Sequence, residues 1–142
     1  MKKLVTILFL MSTVFANAQD SQETLKWLDK HKKHIVKKEL SGVKVKGKIE
    51  MTESYIKYSE KMTDGDTYEK IINWGDIGRI YCNIADSGRY YITIDSTKER
   101  FLNIRFTYSE DGVDMAVKLA HMAKLNGAEV EVSGSDLRGV KL

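Results

Sequence analysis

The sequence predicts an α+β domain: an N-terminal helix, an antiparallel meander of about six strands and a C-terminal amphipathic helix. Three observations carry this. The apolar period is helical before residue 42, alternates in twos over residues 43–108, and is helical again over residues 111–126. Short turn signals, Asp64-Gly65 and Asp86-Ser87-Gly88, separate the strand candidates and favour antiparallel neighbours over crossovers. The composition, 42% hydrophobic and 30% charged over 142 residues, is that of a globular chain, and the length suits one domain with one core.

Residues 1–18 have the three parts of a secretory signal. Lys2 and Lys3 precede an apolar run over residues 4–15, and Ala16-Asn17-Ala18 places small residues at both positions a signal peptidase reads. Cleavage is expected before Gln19. The run is shorter than the roughly 20 apolar residues a spanning helix needs, and no cysteine stands at the cut to take a lipid. The expectation is an exported chain, periplasmic or secreted, with no transmembrane segment after cleavage. Loss of Lys2 and Lys3 takes the formal charge from +3 to +1. What remains is uneven: residues 26–48 hold nine lysines against Asp29 and Glu39, whereas residues 49–142 hold twelve basic and sixteen acidic side chains.

Residues 19–41 read as a basic amphipathic helix. Asp20 and Glu23 have capping-box spacing, Leu25, Leu28, Ile35 and Val36 share one face, and Ser41-Gly42 ends it. Lys26, Lys30, Lys33 and Lys37 form a stripe on another side. From Val43 the period becomes 2. Val43, Val45, Ile49 and Met51 alternate with Lys44, Lys46, Lys48 and Glu50, and Gly47 marks a bend or bulge. Further strands are expected at residues 54–59, 68–73, 77–84, 89–95 and 101–108, with Trp74-Gly75-Asp76 as an interruption. Ile80, Cys82 and Ile84 share one face, as do Ile92 and Ile94, and Leu102, Ile104, Phe106 and Tyr108. Asp111 or Ser109 can cap the last helix, and Gly127 suits the position just past its end. Residues 128–132 can add a short strand. The expected organisation is a signal at 1–18, the basic helix at 19–41, one globular domain at 42–133 with a closing helix at 111–126, and a loose tail at 134–142.

The segment Ile71-Ile72-Asn73-Trp74-Gly75-Asp76-Ile77-Gly78-Arg79-Ile80 steps from one strand through a short polar turn into the next. With the order of strands and closing helix over residues 43–126, it resembles bacterial pleckstrin-homology-like and GRAM-like barrels. The resemblance implies a twisted meander closed on itself with a helix plugging one end. An open α+β sheet with both helices on one face fits the same pattern. Family members host lipid binding, peptide binding and scaffolding. Lysines near the first hairpin are the family's usual phosphoinositide contacts, and Lys44, Lys46, Lys48 and Lys57 lie there. An exported chain would not meet that lipid, so the ligand is not carried over.

Catalytic patterns are absent from the sequence: no GxSxG, no HExxH, no glycine-rich phosphate loop and no zinc pattern. One cysteine excludes an internal disulfide and any CxxC site. The chain has no proline, where average usage implies roughly seven, so a proline-rich linker and a cis-proline site are excluded. His31 and His34 have ligand-like spacing but sit among lysines that repel a cation. Cys82 points to the core as a small hydrophobe, His121 reads as surface, and Asp64-Gly65-Asp66 reads as a hairpin turn because the later ligands of a calcium loop are missing. No catalytic, cofactor-binding or metal-binding residue is expected, and no cofactor.

The lysines are the one concentrated signal. Lys26, Lys30, Lys33, Lys37, Lys44, Lys46 and Lys48 are the candidate contacts for an anionic partner. Against that stands a solvated helix face, with no aromatic row between the lysines of the kind a single-strand binder uses. Trp27, beside the stripe, is a candidate interfacial anchor. The reading is a small exported non-catalytic binding or scaffolding module. Its expected partner is another envelope or extracellular protein, with no specific nucleic acid. The alternatives are a binder of anionic surfaces (lipid, glycan or nucleic acid) through the basic helix, and a small hydrolase without a recognisable motif.

Overall fold

A computed structural model describes residues 2–85, 88–99 and 102–134, with side chains from residue 17 onward. The element order is α1 (Lys2–His31), a 3-10 turn (Lys32–His34), β1 (Ile35–Leu40), β2 (Val43–Val45), β3 (Lys48–Met51), β4 (Tyr55–Lys61) and β5 (Thr67–Asn73). A second 3-10 turn (Trp74–Asp76) leads to β6 (Ile77–Ile84), β7 (Tyr90–Ser96), β8 (Asn103–Tyr108), α2 (Gly112–Leu125) and β9 (Glu131–Ser133). The fold is α+β, as the periodicity predicts. The strands form two sheets, ordered β2-β1-β8-β7-β6-β9 and β3-β4-β5.

Three features depart from a simple meander of six. The helix expected over residues 19–41 stops at His31, and Ile35–Leu40 is a strand that pairs antiparallel with β8, Leu40 opposite Ile104. The β-branched pair Ile35-Val36 suits a pleated surface better than a helix. What decides the matter is the open edge of β8, which no local pattern reveals. At the other end, β9 pairs parallel to β6, Ile80 opposite Val132. The helix also extends further back than Asp20. It is continuous across the Ala18–Gln19 bond.

The single strand expected over residues 43–51 is split between the sheets. β2 pairs with β1 and β3 with β4. The corner is at Gly47, where a Cβ would run into the Ser59 carbonyl oxygen. Only glycine lets the two backbones approach that closely. The corner's amides leave the ladder and are captured by side chains. Lys46 N–H donates to Glu60 Oε1 (3.1 Å), and Gly47 N–H donates to Tyr58 Oη (3.3 Å). Tyr58 in turn donates to Glu60 Oε2 at 2.6 Å.

The other corner, between β5 and β6, is made by Trp74. Its ring is fully buried, and Nε1–H donates to the Thr52 carbonyl at 2.7 Å. The core between the sheets and α2 holds Ile80, Cys82, Ile92, Ile94, Leu102, Ile104, Phe106 and Tyr108, all buried as their strand parity predicts. Ile84 departs from that parity at 49% exposure, because it sits on the last rung of the β6–β7 ladder, opposite Tyr90. Phe101, Asp86 and Ser87, and the tail from residue 135, lie outside the described residues.

α2 is capped as predicted. The Asp111 carboxylate accepts from Val113 N–H, and Gly127 follows the helix at φ 83°. Ala116, Leu119, Ala120 and Ala123 are buried, the alanines allowing close approach. α1 lies across α2 with Thr24 and Leu28 buried, and Asp20 pairs with His121 at 2.9 Å. His121, read as surface, is thus part of the contact between the two helices.

Candidate binding surfaces

The structure scatters the predicted lysine stripe. Lys26 and Lys30 remain on α1, Lys33 sits in the 3-10 turn, and Lys37 is in β1. Lys37 shares a strand face with Glu39, whose carboxylate pairs with Arg105 across β8 at 3.8 Å. That is the face away from Lys38. A four-lysine helix face therefore does not exist, since a helix spacing of i+7 and i+11 loses its meaning once the chain turns extended at Ile35.

A different grouping replaces it. The end of α1, the turn after it, β1 and β3 enclose a cleft of about 330 Å³. Its charged lining is Lys30, Lys32, Lys33, Lys38 and Lys48, with Asp29. Ile35 and Ile49 form an apolar floor. Of the predicted set, Lys30, Lys33 and Lys48 come together here. Lys32 and Lys38 belong to the cleft although neither lies on the predicted stripe. Knowing that β1 is a strand would have turned Lys38 to the face away from Lys37. Asp29 is occupied by Lys32 at 2.5 Å.

Lys44 goes elsewhere. It lines a groove of about 510 Å³ between β2 and the β4–β5 hairpin, lined also by Glu99 and Leu102. Three large apolar side chains stand exposed on it: Val43 at 66%, Met62 at 47% and Tyr68 at 41%. Tyr68 is steadied by an edge contact with the Tyr58 ring. Lys70 and Glu99 pair at 3.6 Å, while Glu60 is tied to the Gly47 corner. Hydrogen bonds from the Tyr58 hydroxyl and then the Lys46 amide hold the Glu60 carboxyl below its ordinary range. Lys46 is exposed beside this corner and Lys26 on α1, neither of them lining the cleft or the groove.

The chemistry-bearing residues of the sequence do not converge. The His31 ring stacks on Trp27 at 3.9 Å between centroids, and its Nδ1 contacts the Trp27 carbonyl. His34 packs edge-on against Tyr108 and faces Glu110 at 3.5 Å. The two rings are engaged separately, 6.3 Å apart. Trp27 is therefore part of a packed stack, half-buried, and not an exposed anchor. Cys82 is fully buried. Asp64 accepts from Asp66 N–H at 3.0 Å in a turn with Gly65 at φ 96°, a hairpin closure. Among the described residues no group of three or more His, Cys, Asp or Glu side chains is arranged to hold a metal ion.

No protein-family model matches the chain, and no curated protein matches it. Among solved structures it is similar to a chain described as "Structure of the Spt16D Pob3N heterodimer", at 17% identity and a TM-score of 0.44. The match covers 74% of this chain and spans 55% of that one. A likeness at this level is one of general architecture alone.

Proposed function

We propose that this chain is a small exported, non-catalytic binding module that takes an extended segment of a protein partner into the groove beside β2. One observation carries the reading. Val43, Met62 and Tyr68, three exposed large hydrophobic side chains, line a single groove along the outer strand of the larger sheet. An edge strand offers unpaired backbone groups to an incoming strand, and alternate side-chain sites beside it supply selectivity. Lys44 on the rim has no ion pair among the described residues, so an acidic residue in the bound segment would be favoured there. The export half of the proposal stands on the signal pattern of residues 1–18. Among the described residues no helix is long and apolar enough to cross a membrane.

The test is selection from a displayed library of random dodecapeptides on the immobilised chain. The expected result is enrichment of extended peptides with alternating apolar residues, whose binding is lost in Val43→Asp and in Tyr68→Asp while the melting temperature holds. Enrichment no better than on an unrelated domain, or binding indifferent to both substitutions, rejects the groove.

A further inference from the structure

The lysine cleft is independent of the groove, and it has a chemistry of its own. We infer that it is a binding site for a compact polyanion carrying several phosphate or sulfate groups. Five lysines line it against the one aspartate, Asp29, a net of four positive charges around about 330 Å³. Lys32 pairs with Asp29, and the Glu60 carboxylate lies within electrostatic reach of Lys38. Lys30, Lys33, Lys38 and Lys48 have no ion pair among the described residues. Like charges gathered in one concavity raise its potential and concentrate counter-ions there. On an open helix face the same lysines would spread into water and be screened.

The cleft's form selects the ligand. With a water occupying roughly 30 Å³, it holds about ten waters, the bulk of a tripolyphosphate or a sulfated disaccharide. It is open to solvent, with Lys30, Lys33 and Lys48 exposed around it. Among the described residues no arginine lines it. The planar fork that reads a carboxylate two bonds at a time is missing, whereas ammonium point charges from several directions suit tetrahedral phosphate or sulfate. The Ile35 and Ile49 floor lowers the local polarity beneath the charges and strengthens each contact. Four of the five lysines precede residue 43, outside the segment that resembles a pleckstrin-homology-like barrel. Their convergence depends on the break from α1 into β1.

The probes are tripolyphosphate and a heparin-derived tetrasaccharide, titrated calorimetrically against the exported full chain. At least one should bind saturably at low salt and weaken at least about tenfold between about 50 and about 200 mM salt. The triple variant Lys30→Gln, Lys33→Gln, Lys48→Gln should bind at least about tenfold more weakly. The double variant Lys26→Gln, Lys37→Gln should bind within about twofold of wild type. Tighter tripolyphosphate binding assigns the site to phosphate, and tighter tetrasaccharide binding to sulfate. Saturable binding by neither probe overturns the site, as does equal loss in the triple and the double variants. Should the triple variant fail to fold, amide shifts in the wild-type chain decide. Shifts centred on residues 29–38 and 48–49 support the cleft, and shifts spread over all exposed lysines overturn it.

Discussion

Tyr58 shows how one side chain serves both a corner of the fold and the margin of a surface. Its ring fills the core, its hydroxyl accepts from the Gly47 amide and donates to Glu60, and its edge supports Tyr68 in the groove. Burial, and then the hydrogen bond to Glu60, push its phenol up to about 12. Tyr108 is also pushed up to about 12, by burial and then by the Glu110, Asp111 and Asp114 carboxylates. Both groups are held neutral in the folded chain. A raised phenol contributes stability that is full below its ordinary value of 10.0 and is lost as pH rises toward about 12. Thermal melts from pH 8 to pH 12 should therefore show a steep alkaline loss between about 10 and about 12. Tyr58→Phe and Tyr108→Phe should each make that loss shallower. A double variant that falls as steeply as wild type would mean that neither phenol is what fails.

At the scale of elements, the bend at Gly47 joins the two sheets. Alternation of Val43, Val45, Ile49 and Met51 makes the strand legible, and Gly47 marks its irregularity, but which sheet each half joins is not written locally. Gly47→Ala would drive a methyl group into the Ser59 carbonyl and toward Glu60 Cβ. The Ser59 carbonyl is backbone paired within the sheet and has little room to move. The expected cost is roughly 1–3 kcal/mol, as for overpacking a filled site, read from urea unfolding. A loss below about 0.5 kcal/mol, the scatter of a neutral surface change, would mean that the sheets are not locked there. Trp74 is a companion case. As a residue type it reads as a break between strands. In the fold it is a fully buried corner, satisfied by the Thr52 carbonyl 22 residues away, and that distant partner carries no local signature.

For the whole molecule, the described contacts of α1 with α2 come from residues that follow the signal pattern. Asp20 reaches His121 and Ser21 reaches Met122 on α2, and Thr24 and Leu28 are buried. A chain cut at Ala18–Gln19 keeps all of these contacts. Intact mass of the exported protein should correspond to residues 19–142, with a melting temperature matching a chain expressed from Gln19. Recovery of the chain with residues 1–18 attached in a membrane fraction would reject cleavage.

Local pattern alone determined the α+β class, the strand parity that buries Ile80, Cys82, Ile92, Ile94, Ile104 and Phe106, the Asp111 cap of α2 and the hairpin at Gly65. Each rests on interactions within a few residues or on a period of two, and burial follows directly from that period. The tertiary structure decided the rest. Ile35–Leu40 became a strand because β8 offered an open edge, and pairing with it outweighed a helical pattern that is only a weak local preference. That one change dissolved the stripe of Lys26, Lys30, Lys33 and Lys37 and moved Lys37 to the far face. It gathered Lys30, Lys32, Lys33, Lys38 and Lys48 around one cleft. Charge can be counted in a sequence, but where charges converge depends on which distant edges pair.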